Sequence, residues 1–438
     1  MDSQWREKKL YPIVGAFAIV SLLYLNFKDN LHFTFPEVVR NLPEMGFVGV
    51  NHTRFLLLDD AAAREFYVNG WNSYWLMEES ARRHGPARRR VSEMLRKGAD
   101  LGMTVCRTWA FSDGGGGGAD ALQLKPGVFN DRVFKALDYV VMEARRHKVR
   151  LILSLVNNLK AYGGKTQYLQ WAEAVGINVS SKDSFFSDPS IKAYYKSYVK
   201  AILTRRNSFT GVKYSDEPSI FAWELMNEPR CDSVSSAPTL QAWIAEMAAY
   251  VKSLDRNHLV TIGLEGFYAS KSSKNYETNP GDWAASLGSD FLNNSAIKDI
   301  DFASVHAYPH SWIPEAKLEA KVKYLSKWAD AHISDGENLL KKPVLFTEVG
   351  ALSTMEKAGL YDRDVLFKTI YDKIYNSARK RGAGGGVLIW QLLVDGVEEY
   401  SDEFSFVAGT FPSTRKLILH QSCRLRYASN DTERCIYT

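Results

Sequence analysis

From about residue 44 onward, short apolar runs alternate with longer segments whose apolar positions recur at helical spacing. Eight of the runs have the length of strands: Phe66–Gly70, Thr104–Thr108, Arg150–Leu155, Ile220–Leu225, Leu259–Gly263, Phe302–Val305, Val344–Phe346 and Val387–Ile389. Between them, Arg88 to Gly98 is basic and amphipathic and stops at a glycine. Val133 to His147, Thr239 to Leu254 and Val365 to Arg379 carry a helical apolar stripe. Eight strands alternating with helices predict an α/β fold, a (β/α)8 TIM barrel with elaborated loops. A doubly wound open sheet is the competing arrangement. It would usually put a glycine-rich phosphate loop after its first strand, and here that strand runs into Gly70-Trp71-Asn72-Ser73-Tyr74-Trp75. Ahead of the barrel, Gly46–Asp60 and Phe66–Asn69 read as a small β-hairpin able to plug its base.

One apolar run breaks this rhythm. Leu10 to Phe27 reads LYPIVGAFAIVSLLYLNF without a charge, with Arg6, Lys8 and Lys9 just before it. About 18 apolar residues is the lower edge for a membrane span and the upper edge for a signal-peptide core. The basic flank keeps that end in the cytoplasm and sends the bulk of the chain across the membrane. The A-x-A pattern Ala16-Phe17-Ala18 lies inside the run, where cleavage is not expected, so the reading leans to a signal anchor over a cleaved signal peptide. Residues 1–30 are therefore assigned to targeting and 45–438 to the barrel. Residues 10–27 become a membrane tether if uncut, and the expected location is secreted or extracellular.

Composition narrows the class further. The 438 residues are 45% hydrophobic and 24% charged, which excludes a mostly disordered chain. Four cysteines exclude a disulfide-stapled miniprotein. A net charge of +5 over this length is no footprint for nucleic acid. No cofactor is expected, and the barrel is expected to be a monomer. Sequons at Asn51, Asn178, Asn293 and Asn430 agree with secretion. So does the pairing of Cys423 with its near neighbour Cys435 that an oxidising compartment would allow; Cys106 reads as a buried free thiol.

In such a barrel the chemistry sits at the C-terminal ends of the strands. The residues falling there are Asn72, Tyr74 and Trp75, then Arg107 and Trp109, Asn157 and Asn158, Asn227 and Glu228, Glu265, His306 and Tyr308, Glu348, and Trp390 with Gln391. Charged groups are rarely buried without a partner, so this many on one rim predict a polar cavity. Glu228 and Glu348 form the natural pair, across the barrel on strands four and seven. Sugar hydrolysis with retention needs two carboxylates about 5 Å apart, one as nucleophile and one as acid/base. Arg107 can orient the nucleophile and hold it ionised. Asn227 can bond a sugar hydroxyl, and Trp390, Trp109 and Trp75 can stack on sugar faces. Metal chemistry finds little footing. No His-Glu-x-x-His or Cys-x-x-Cys occurs, and although Glu228, Glu265 and Glu348 could bind Mg2+, the aromatic platforms suit a neutral sugar better. No G-x-S-x-G elbow is present.

The chain resembles glycoside hydrolase family 5 of clan A, and within it the plant endo-β-mannanases (mannan endo-1,4-β-mannosidases). The matching segments include Asn69 to Met77, Cys106-Arg-Thr-Trp-Ala-Phe-Ser-Asp113, Gly163 to Tyr168, Trp223 to Cys231, Gly263 to Tyr268, His306-Ala-Tyr-Pro309, Phe346-Thr-Glu-Val-Gly350 and Val387 to Gln391. Asn-Glu-Pro and Thr-Glu-Val-Gly indicate only the clan, whereas Trp-Asn-Ser-Tyr-Trp and Arg-Thr-Trp-Ala-Phe are more specific to the mannanase branch. The resemblance implies Glu228 as acid/base and Glu348 as nucleophile. Arg107, Asn227, His306, Tyr308 and Trp390 would surround the cleaved sugar, Trp109 would also touch substrate, and Tyr308 would orient Glu348. It implies a β-mannan polysaccharide as substrate and retaining endo-hydrolysis. A transglycosylase or β-1,4-glucan hydrolase on the same barrel, and a wall-binding lectin, are the alternatives. Leu159, where the family usually has Trp, the glycine run after Asp113, His310, and Ser405 to Phe411 depart from the family pattern.

Overall fold

The computed structural model describes residues 42–58, 63–83, 85–114, 120–232, 236–269, 275–352 and 361–429. The described residues from Pro43 onward form one compact unit. The apolar run at 10–27, Asn430 and Cys435 lie outside the described residues. Among the described residues, no helix is long and apolar enough to cross a membrane. Cys423 is disulfide-bonded, Cys106 is a buried free thiol, and Cys231 is buried.

The eight expected strands form one parallel sheet that curls into a barrel: Val68–Asn72, Val105–Trp109, Arg150–Ser154, Ile220–Glu224, Leu259–Thr261, Ala303–Ala307, Val344–Gly350 and Gly384–Trp390. Seven neighbouring pairs are joined by parallel ladders. The seam between strands five and six closes differently. Asp301 N–H donates to the Val260 carbonyl, Thr261 Oγ1 to the Phe302 carbonyl, and Gly263 and Leu264 N–H both to Ser304 Oγ. Nearly every strand residue is buried, which is why these strands read as continuous apolar runs and not as alternating ones.

The helices follow from their ends as much as from their stripes. Asp131–Arg146 starts behind Asn130, whose side chain accepts from Arg132 N–H, and carries Asp131 in its first turn and Arg145 and Arg146 in its last. Pro189–Leu203 starts behind Asp188, which accepts from Ser190 and Ile191 N–H, with proline at its first position. Helices Ala87–Asp100, Ser236–Leu254 and Asp362–Arg379 lie where the stripes predicted them, with ends moved by a few residues.

The base differs in detail from the expected hairpin. Val48–Asn51, Arg54–Leu57 and Arg64–Phe66 make a three-stranded antiparallel sheet. Phe66 is therefore spent on this sheet, and the first barrel strand begins only at Val68. Val48, Phe55 and Leu57 share a buried cluster with the barrel residues Val68, Val105, Ile152, Phe221, Phe302, Leu345 and Leu388. Phe55 meets Phe221 and Phe302 edge-on at 5.2 and 5.3 Å. Gly385 makes room for it, since a Cβ there would stand 2.6 Å from the Phe55 ring. The base sheet packs against this end of the barrel, and the opposite face is the one where the strands end.

Candidate active site

Two carboxylates are brought together at that face. Glu348 sits within barrel strand seven, and Glu228 lies four residues past the end of strand four. Oxygens of Glu228 and Glu348 and a ring nitrogen of His306 all lie within 4.8 Å of one another. Glu228 takes up φ 48°, a left-handed conformation unusual for a residue with a side chain, and its N–H donates to the Gly263 carbonyl at 2.9 Å. The turn is pinned from outside as well: the buried Lys165 ammonium donates to the Arg230 carbonyl at 2.9 Å.

Arg107 organises the floor. Fully buried, it donates from Nη1 to Glu348 Oε1 and to Asn72 Oδ1 (3.2 Å). From Nε and Nη2 it forks onto Glu224, at 2.9 and 2.6 Å, and Nη2 also reaches Asn227 Oδ1 at 2.7 Å. The other oxygen of Glu348 accepts from the Tyr308 hydroxyl. Gly350, two residues after Glu348, allows this approach, because a Cβ there would lie 2.3 Å from the Tyr308 ring. His306 Nδ1 stands 2.9 Å from Glu228 Oε1 and 3.6 Å from Glu348 Oε2.

The electrostatics separate the two carboxyls. Burial raises both above the ordinary carboxylate range, reinforced at Glu348 by the Glu228 charge and at Glu228 by the Glu224 charge. For Glu348 burial is opposed by His306, by Arg107 and by the Tyr308 hydroxyl bond. Glu228 is opposed by the charges of Arg230, 3.9 Å away, and Arg107, with no N–H or O–H of either bonded to it. The Arg107 and Tyr308 donors thus favour the charged form of Glu348, a support that neither arginine gives Glu228 through a hydrogen bond. Burial lowers the His306 pKa below the ordinary imidazole value, and the Glu348 charge works against it. Burial also pushes Glu265 up to about 7, reinforced by the Glu228 charge, even though Arg230 donates to both its oxygens at 2.9 and 2.7 Å. Glu228, His306 and Glu348 have the donor types of a metal site, but Glu348 already gives one oxygen to the Arg107 guanidinium and the other to Tyr308. A cation would have to displace both.

Above the carboxylates lies an open cleft of about 740 Å³. Glu228, Glu348, Asn227, Tyr308, Trp109 and Trp390 all line it. Trp390 stacks on Tyr74 with ring centroids 5.8 Å apart and planes 11° apart, and its indole N–H donates to Asp402 at 2.6 Å. Trp109 lies against Trp390 on one side and the Arg107 guanidinium on the other. Leu159 lies in the cleft wall with its side chain largely exposed.

Two expected sugar contacts, Trp75 and Asn72, lie elsewhere than the sequence pattern suggested. Trp75 is fully buried and stacks on Tyr400 at 5.7 Å, so it is core and no platform; Tyr74 takes the cleft side. Asn72 is fully buried behind Arg107 and donates to the carbonyls of Thr347 and Ile389. Arg107 and His306 are fully buried too, and act on the carboxylates beneath the cleft surface. Sequence reasoning assigned no role to Glu224, the second carboxylate on Arg107, nor to Asp402, Tyr162, Trp312 and Arg230 in the cleft wall. Glu224 had a signal: a carboxylate inside an apolar strand needs a buried cation, and Arg107 is the nearest in pattern.

The GH family 5 β-mannosidase-like profile matches residues 45–400 of the chain. Mannan endo-1,4-β-mannosidase 2 of Arabidopsis thaliana is 52% identical over 416 residues, covering 94% of this chain and 93% of the relative. Mannan endo-1,4-β-mannosidase 2 of rice (Oryza sativa subsp. japonica) is 48% identical and covers 98% of both. Among solved structures, the hyperthermostable endo-1,4-β-D-mannanase of Thermotoga petrophila superposes with a TM-score of 0.71 at 30% identity, covering 82% of this chain and all of that one.

Proposed function

Since the chain belongs to glycoside hydrolase family 5, in its β-mannosidase-like group, we propose that it is an endo-hydrolase cleaving internal β-1,4 linkages of mannans with retention of configuration. The observation that carries this reading is the carboxylate pair. Oxygens within 4.8 Å fit the roughly 5 Å separation of retaining enzymes better than the about 6.5–9.5 Å of inverting ones.

In the first step the ionised Glu348 attacks the anomeric carbon while Glu228 passes its proton to the glycosidic oxygen, and the leaving chain departs with a free hydroxyl. In the second, Glu228 takes a proton from water, the resulting hydroxide attacks the same carbon, and Glu348 is released as carboxylate. Trp390 and Tyr74 offer flat apolar faces to the sugar being cleaved, and Asn227 holds an amide beside it. The cleft over the carboxylates is open among the described residues, which supports internal cleavage of a long chain.

The pH dependence follows with a definite sign. Glu228 must be protonated in the first step, so kcat/KM falls as pH rises through its pKa, which burial places above the ordinary carboxyl range. Glu348 must be ionised, so kcat/KM also falls on the acid side as the pair takes up its second proton. Glu228→Gln should cut kcat on mannan by about 10²–10⁴-fold and flatten the alkaline limb. The value of kcat/KM for an aryl mannoside, whose leaving group needs no proton, should fall by less than about tenfold. Equal losses on both substrates would remove Glu228 from the acid role.

The protein is further proposed to act outside the cytoplasm, carried there by the basic-flanked apolar run at 10–27. Exposed sequons at Asn51, Asn178 and Asn293 and the disulfide at Cys423 support this. N-terminal sequencing of the mature protein distinguishes a secreted form from a tethered one.

A further inference from the structure

An exposed aromatic residue by itself is ordinary. Trp283 stands in a particular place. It lies in the segment that follows barrel strand five, on the face of the barrel where the strands end and the cleft opens. Its ring meets Phe267 edge-on, with centroids 5.3 Å apart. Phe267 in turn meets Trp312, which lines the cleft, at 5.2 Å. A second tie runs through the main chain: Cys231 N–H donates to the Leu287 carbonyl at 2.9 Å, fastening this segment to the turn that carries Glu228 and Arg230.

The indole is held and yet open. A Cβ at Gly281 would come within 3.0 Å of Trp283 Cδ1 and Nε1, so the glycine lets that edge of the ring lie against the main chain. With one edge on Gly281 and Phe267 packed perpendicular to it, the side chain remains 44% exposed. A rigid aromatic surface of this kind binds a flat apolar partner with little loss of freedom on binding. Direction along the cleft comes from the acid. Glu228 delivers its proton to the leaving oxygen, so the departing part of the chain lies on the side of Glu228. Arg230 stands 3.9 Å from Glu228 and bonds Glu265, both share the cleft with Trp312, and Trp283 is joined to Trp312 through Phe267.

We propose that Trp283 is a distal sugar platform on the leaving-group side, stacking against the C–H face of a mannosyl unit that only longer chains reach. This inference rests on the mannanase reading above and assigns a specificity role to a residue outside the cleft that contains the carboxylates.

The test compares the intact protein with Trp283→Ala and Trp283→Phe on manno-oligosaccharides of increasing length and on polymeric mannan. Aromatic stacking of about 0.5–1.5 kcal/mol corresponds to a two- to roughly tenfold effect. Trp283→Ala should therefore lose about that factor in kcat/KM on polymer and on the longest oligosaccharide, through a higher KM, and nothing on the shortest one cleaved. Trp283→Phe should recover most of the loss. A uniform loss at every length, or no loss at any length, overturns the platform. Wild-type protein inert on every mannan overturns the platform and the mannanase reading together, whereas an active wild type with a flat length profile in Trp283→Ala overturns the platform alone.

Discussion

Replacing Glu348 with alanine should reduce mannan hydrolysis by about 10⁴–10⁶-fold, the scale seen when a covalent nucleophile is removed from an enzyme whose other groups remain. The fold should survive, because the side chain contributes to the site and not to either apolar cluster. The change also leaves a cavity where the carboxylate stood, lined by the Arg107 guanidinium and the Tyr308 hydroxyl. Both donors favour an anion there. A small nucleophilic anion such as azide should enter that space and attack the anomeric carbon of an activated aryl mannoside from the face Glu348 would have used. One displacement instead of two gives a mannosyl azide of inverted configuration. Restored turnover with that product identifies Glu348 as the nucleophile. Azide rescue of Glu228→Ala with retention, and of Glu348→Ala with inversion, together assign both roles. Normal hydrolysis by Glu348→Ala would sink the mechanism outright.

The framework around this pair was legible because barrel strands have a plain signature. They are buried on both faces, so each appears as an uninterrupted apolar run, and the rim follows once the strand ends are known. Glu228 and Glu348 were found in this way, as residues where polarity breaks out at the end of a run. The first strand shows how far such reading goes. Phe66 belongs by pattern to the run that continues to Gly70, yet it pairs with Phe55 in the base sheet. An apolar residue next to a strand does not say which sheet it joins.

The misplacements have a common physical cause. At the end of strand one, Tyr74 and Trp75 are adjacent aromatics, and only one of them faces the cleft. The chain turns directly into helix Leu76–Ala81, which carries Trp75 down onto Tyr400 and leaves Tyr74 beside Trp390. Tyr400 and Asp402 belong to the loop after strand eight, more than 300 residues from Trp75, and local sequence contains nothing that specifies such a contact. Glu224 shows the opposite case: set between the core residues Trp223 and Leu225 it calls for a buried cation, but local sequence does not say that the cation is Arg107, 117 residues away.

That ion pair sets the second large effect. Arg107 is fully buried, with Glu224 fully buried on one side and Glu348 on the other. Arg107→Met removes the only cation in contact with Glu224 among the described groups and leaves a carboxylate without a counter-charge in the barrel interior. Breaking a buried pair by deleting one partner costs about 3–5 kcal/mol, because the remaining charge is neither solvated nor compensated. The variant should melt several degrees lower and be essentially inactive. Arg107→Lys should not restore it, since an ammonium is a point charge and cannot serve Glu224, Glu348, Asn72 and Asn227 from one fixed fork. The two consequences can be separated. Adding Glu224→Gln to Arg107→Met removes the stranded charge, so most of the lost stability should return. Activity should not return, because Glu348 still lacks the guanidinium that keeps it ionised beside Glu228. Thermal unfolding and kcat on mannan, measured for the two single variants and the double, read both effects. An Arg107→Met protein that melts with the wild type, or a double variant that hydrolyses mannan normally, would show that Arg107 neither balances Glu224 nor poises the nucleophile.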